Sequence, residues 1–181
     1  YEWAAAHLER FGGEAARLRP RLIIANFKRW TNRELDLRRE AASASELAEH
    51  MVGTAGYDIP GIDWDRTNGR VLTVDWIDGI KISDVAALRA AGHDTKDLAS
   101  RLVLAFLKQA IAAGFFHADM HQGNLFVKAD GTIAAIDFGI MGRIDRRARM
   151  WLAEILYGLT TGNYKRVAEI HFEAQYVPSY H

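Results

Sequence analysis

The chain has 181 residues, 49% hydrophobic and 25% charged, with 23 basic and 23 acidic residues and no cysteine. That is the composition of one globular domain, or of parts of two lobes, and its zero formal charge gives no electrostatic case for nucleic acid. Without cysteine, disulfides and cysteine–zinc centres are excluded and a reducing compartment is compatible; no apolar run approaches the ~20 residues of a membrane span.

In chain order, residues 1–11 are helical by propensity and Gly12-Gly13 stops them. Pro20 precedes a second helix with Leu22, Ile23, Phe27 and Trp30 on its apolar face. Either Thr31 or Asn32 caps a new helix, or the second one runs on. Residues 33–51 form the next helix, where Ala41, Ala42 and Ala44 make one side small enough for close approach of another element. Glu40 sits beside that side and has two readings. It belongs to a solvated face of ion pairs, Asp36 with Arg39 or Glu34 with Arg38, or it holds a catalytic lysine from a neighbouring strand. Taken alone, the spacing favours the first.

Residues 53–79 change character. Tyr57-Asp58-Ile59-Pro60 reads as a strand, Asn68-Gly69 as a turn, and residues 71–77 as a buried strand pairing antiparallel with the first. Asp78-Gly79 breaks it. A short helix runs from Ile82 to Ala91 and stops at Gly92. A long amphipathic helix over residues 94–113 then puts Leu98, Leu102, Leu104, Phe106, Leu107, Ala110 and Ile111 inward. After Gly142, Asp145 caps a helix with Trp151, Leu152, Ile155 and Leu156 inside, and Gly162-Asn163 separates it from a last helix over residues 164–174. The chain begins at Tyr1 and ends just past that helical pattern, so a fragment of a longer protein is expected.

The chemistry concentrates between Gly114 and Gly142. His117-Ala118-Asp119 is followed by Asn124, five residues after the Asp. Leu125 to Val127 and Thr132 to Ile136 flank Ala129-Asp130-Gly131, a hairpin signal, and the second strand delivers Asp137-Phe138-Gly139. Phosphoryl transfer needs a carboxylate to take or orient a hydroxyl proton, plus oxygen ligands for magnesium on the phosphates. Asp119 suits the first role; Asn124 and Asp137 suit the second, because the hairpin folds them towards each other. Gly139 lets the chain turn sharply after the ligand. A rival reading puts His117, Asp119 and His121 on one face of a strand as ligands for zinc or iron in a metal-dependent hydrolase. It leaves Asn124 and Asp137-Phe138-Gly139 without a role.

The order helix, strands, connector, long helix, His-x-Asp loop, hairpin and Asp-Phe-Gly resembles a protein-kinase-like fold. The run Glu34-Leu35-Asp36-Leu37-Arg38-Arg39-Glu40-Ala41 resembles the Glu-x-Asp signature helix of the UbiB family, the AarF-domain, ADCK-type atypical kinases linked to ubiquinone biosynthesis. Residues 115–124 look like that family's catalytic loop, with Gln122 where Pro is commoner. Residues 136–142 fit its metal-binding turn, and residues 71–79 its hinge. The resemblance implies an α+β protein-kinase-like fold, with an incomplete N-lobe over 1–77 and a partial, mostly helical C-lobe over 78–181.

It further implies ATP and magnesium as cofactors. Asp119 is then the catalytic-loop carboxylate, Asn124 and Asp137 the metal ligands, and Glu40 the partner of the nucleotide-binding lysine. Glu34 meets the family's Lys-x-Gly-Gln segment, His117 braces the Asp-Phe-Gly backbone, and Val74, Asp75, Trp76 and Ile77 border the adenine. Quinone-precursor lipids and other quinone-biosynthesis proteins are the expected partners, at the cytoplasmic side of a bacterial inner membrane. The Lys-x-Gly-Gln segment, the Ala-rich nucleotide loop and the strand lysine are expected upstream of Tyr1, so the fragment alone is expected to be inactive. Two other functions compete: a small-molecule phosphotransferase of the aminoglycoside or choline kinase type, which shares the His-x-Asp loop, and a non-catalytic nucleotide-binding scaffold.

Overall fold

The computed structural model describes Trp3 and residues 19–177. The expected helix over residues 1–11 and its Gly12-Gly13 stop, Trp3 apart, lie outside the described residues. Helix α1 (Pro20–Glu34) ends at a break before Asp36, and α2 (Leu37–Met51) starts afresh. The expected helix over 33–51 is therefore split, because Asp36 is its N-cap: extended backbone, with the carboxylate accepting from the Arg38 amide at 3.3 Å. The same carboxylate takes the Arg38 guanidinium at 2.8 Å, so its partner is Arg38 and not Arg39. That hydrogen bond holds the Asp36 carboxyl below its ordinary value.

α2 buries Ala41, Ala44, Leu47 and Met51, a 3–3–4 stripe that makes one helix face. Ala42 is exposed and does not belong to it. Ala44, Leu47 and Met51 of this stripe pack into one apolar cluster with Tyr57, Leu88, Leu98, Ala105, Phe115, Leu125, Val127, Ile133 and Phe138. The hairpin of the catalytic stretch is thus welded to α2 through shared core.

A four-stranded sheet has the order β1 (Tyr57–Asp58), β5 (Ile133–Ala135), β4 (Leu125–Val127), β2 (Ile80–Lys81). β4 and β5 are the expected antiparallel hairpin, with Leu125 opposite Ala135 and Val127 opposite Ile133. Gly131 sits at φ +82 in its turn, and Asp130 accepts from the Thr132 amide at 2.9 Å. β1, however, pairs in parallel with β5, and residues 71–77 form no strand. They make only isolated bridges, Ile62 to Val74 and Asn68 to Val71, and leave Val71, Val74 and Trp76 exposed. Residues 61–63 take part of this backbone, the Asp75 amide donating to Gly61 O and the Asp63 amide to Thr73 O, each at 2.9 Å about the Ile62–Val74 bridge, but the pairing stops there and builds no ladder.

Helix α3 (Val85–Ala90) is capped by Asp84, and α4 (Thr95–Leu107) by Asp94. α4 passes into a wider π-turn over Lys108–Ala113 that ends at left-handed Gly114, φ +72. Leu98, Ala105 and Ala110 are buried, but Leu104 is 65% exposed, which corrects its inward placement. β3 (Phe115–His117) and β6 (Met141–Arg143) pair antiparallel as a second small sheet. α5 (Arg146–Thr161) is capped by Asp145, and after left-handed Gly162 comes α6 (Tyr164–Glu173), the last helix among the described residues. No helix among the described residues is long and apolar enough to cross a membrane.

Candidate functional site

The site is built at the ends of β3, β4 and β5. β3 carries His117, which is 1% exposed and held from three sides. Its amide donates to Gln109 Oε1 at 3.0 Å, its Nε2 faces Ile136 O at 3.3 Å, and its Nδ1 accepts from the Asp119 amide at 3.2 Å. The ring also packs on Phe138 at 5.4 Å between centroids. The buried imidazole thereby ties the chain before Asp137 to the backbone of Asp119, while the backbone amide of the same residue is held by the π-turn. Gln109 gave no signal in the sequence: its role follows from the π-turn, which aims the amide inward.

Asp119 itself is exposed, in the loop after β3. A short 3₁₀ turn, Gln122–Asn124, follows, capped by His121 Nδ1 accepting from the Gly123 amide at 3.1 Å. Asn124 Nδ2 donates to Asp119 O at 3.4 Å, which leaves its amide oxygen for other work. The Ile136 amide donates to Asn124 O at 2.9 Å, so Asp137 stands one residue past the rung that ties the hairpin to the loop.

Asp137 adopts φ +64, in the left-handed region. The sharp turn therefore falls on the Asp and not on Gly139, which is absent from the left-handed set. Asp tolerates this conformation because its short side chain bonds locally; here Oδ1 accepts from the Gly139 amide at 3.3 Å. Phe138, 3% exposed, anchors the turn, and its amide donates to Glu40 Oε1 at 3.3 Å. Glu40 thus meets the Asp-Phe-Gly backbone directly, an assignment that neither reading of the sequence contained.

The other residues singled out lie apart from this cluster or along its border. Glu34 is the last residue of α1. Asp75 and Trp76 are exposed, Trp76 to 90%, and Ile77 is half-buried, on the segment that leads through Gly79 into β2. Gly79 has no room for a Cβ, which would lie 2.9 Å from Val127 O.

The oxygens of Asn124 and Asp137 fit a hard cation such as magnesium, which binds through one or two protein oxygens and substrate phosphates. The rival histidine site fails on geometry. His117 is buried with both ring nitrogens engaged, His121 caps its own turn, and no group of three or more His, Cys, Asp or Glu among the described residues could hold a metal ion.

A groove of about 670 Å³ opens beside the site between α2 and the chain after Asp137. Glu40, Ser43 and Glu46 line one wall; Gly139, Ile140 and Met141 line the other. Arg143 crosses it: its guanidinium reaches Glu46 Oε2 at 2.5 Å and lies 4.2 Å above the Phe115 ring. That contact, first among several, keeps the Glu46 carboxyl below its ordinary value.

Residues 1–171 match the ABC1 atypical kinase-like domain. A "Probable protein kinase UbiB" of Marinobacter nauticus is 40% identical over 178 residues, covering 96% of this chain and 32% of that protein. One of the same name from Xanthomonas campestris pv. campestris is 39% identical over 181 residues, covering 97% of this chain and 32% of its own length. The chain therefore spans about a third of the curated relatives it matches. Among solved structures, the Rv3197–erythromycin complex from Mycobacterium tuberculosis superposes with a TM-score of 0.64 at 22% identity, over 84% of this chain and 38% of that one, a likeness of fold.

Proposed function

The chain belongs to the ABC1 atypical kinase-like domain family, with a kinase-like α+β fold, and from that premise we propose that it is the phosphotransferase core of a UbiB-type protein using ATP and magnesium. The observation that carries the reading is the loop itself. One buried histidine orders Asp119 and the turn at Asp137 together, and the hairpin rung sets Asn124 beside them. In that arrangement Asp119 accepts or orients the proton of the attacking hydroxyl or water, and Asn124 and Asp137 hold magnesium on the nucleotide phosphates. The ion supplies charge neutralisation where negative charge develops.

The finer role we propose is support of quinone-lipid biosynthesis by an atypical kinase or ATPase, at the cytoplasmic face of a bacterial inner membrane. The name of the curated relatives supports the kinase part of this reading, and the likeness of Glu34 to Ala41 to the UbiB signature helix supports the rest. The test is magnesium-dependent ATP turnover by a full-length family protein carrying these residues. Asp119→Asn is expected to lower the rate ~100-fold or more while nucleotide still binds. Turnover unchanged in Asp119→Asn would remove the residue from the chemistry.

A further inference from the structure

Two carboxylates of α2 face the chain that follows Asp137. Glu40 accepts from the Phe138 amide, and Glu46, about 9 Å further along the helix at a rise of ~1.5 Å per residue, takes the Arg143 guanidinium. The groove lies between these two bridges. Arg143 is the terminal residue of β6, where it pairs with Phe115, so the strand leading to Asp119 and the strand leaving Asp137 are joined under its side chain. Glu46 is also faced by His50 Nε2 at 3.8 Å, and Arg39 lines the same groove.

We propose that Arg143 is a positioning residue: by clamping Glu46 and stacking on Phe115, it sets where Glu40 meets the Asp137-Phe138-Gly139 turn, and so tunes how well that turn receives magnesium and nucleotide. The proposal rests on the phosphotransferase reading for its functional consequence, though not for its geometry. The clamp is poorly suited to a purely structural role. Its side chains are 64% and 35% exposed, and ion pairs in such settings add little to folding. What it supplies is direction. A planar guanidinium presents one edge to a carboxylate and one face to a ring at the same time, which a lysine ammonium does not.

The experiment follows hydrogen exchange at the Phe138 amide in the intact protein for Arg143→Gln, Glu46→Gln, Arg143→Lys and the exchanged pair Glu46→Arg with Arg143→Glu. The two Gln variants are expected to speed exchange about twofold to fivefold, the range an exposed pair can carry. The exchanged pair recovers at least half of the protection and Arg143→Lys falls between, with thermal midpoints all within ~2 °C. The same variants raise KM for magnesium-ATP by a similar factor with kcat little changed. Unchanged Phe138 exchange overturns the clamp whatever the nucleotide data show. Faster exchange that simply tracks a falling thermal midpoint overturns it too. If no protein of the set turns over nucleotide, the phosphotransferase reading fails while exchange still decides the clamp.

Discussion

Asp137 should prefer glycine to alanine, against the usual order in a loop. Left-handed backbone costs a residue with a Cβ about 1–2 kcal/mol. Aspartate offsets part of that through Oδ1, which accepts the Gly139 amide at 3.3 Å. Asp137→Ala loses that bond, worth ~0.5–1 kcal/mol, and keeps the whole backbone penalty. Asp137→Gly loses the same bond but sheds the penalty, at an entropic cost of ~0.5–1 kcal/mol in the unfolded chain. The difference leaves the glycine variant more stable by about 1 kcal/mol, or roughly 2–4 °C in midpoint for a domain of this size. Thermal denaturation followed by circular dichroism reads it directly. An alanine variant as stable as the glycine variant, or more so, would refute the left-handed turn and with it the local reason for the direction of the Asp137 side chain. Both variants should lose magnesium-dependent nucleotide binding equally, because both remove the carboxylate.

Leu47 is fully buried in the shared cluster, so Leu47→Ala should cost ~2–5 kcal/mol in denaturant unfolding. Tyr57 is buried beside the Gln109 amide without closing a hydrogen bond through its hydroxyl, and burial raises its phenol to about 12. Its folded value lies above the unfolded 10.0, so its contribution is complete below pH 10 and is lost as pH rises towards 12. Tyr57→Phe should therefore be neutral or slightly stabilising at pH 7 and lessen the loss of stability between pH 10 and 12. Asp36 shows the opposite sign: Arg38 depresses its carboxyl, so the cap and ion pair help above the unfolded 3.8 and fade as pH falls below it. Asp36→Asn, which keeps a capping oxygen, should flatten the acid end of the thermal-midpoint profile.

The hairpin was legible because local chemistry specifies it: Asp130-Gly131 makes the turn, and Ile133, Ala134 and Ala135 are buried as their apolar run suggests. The relation of Asn124 to Asp137 was legible for the same reason, since that hairpin sets it, whereas Asp119 is placed by His117 and the 3₁₀ turn before Asn124. Residues 71–77 misled because apolar alternation does not reveal whether a partner strand is at hand. The partner of β1 lies 76 residues away at Ile133 and pairs in parallel, which no local signal announces. The role of Gln109 depends on a π-turn, and that of Arg143 on a cross-strand position opposite Phe115. Both are tertiary facts. The left-handed turn fell on Asp137 instead of Gly139 because the side chain that was read as a metal ligand also bonds its own backbone.

The most direct measurement is calorimetric titration of ATP into a full-length family protein carrying these residues, with and without magnesium, for the parent and for Asp137→Asn. Asparagine tolerates left-handed backbone and keeps the shape of the side chain, so only the charge is removed. The account predicts saturable binding that depends on magnesium in the parent and loses that dependence in Asp137→Asn. Equal magnesium-dependent affinity in both proteins would contradict it.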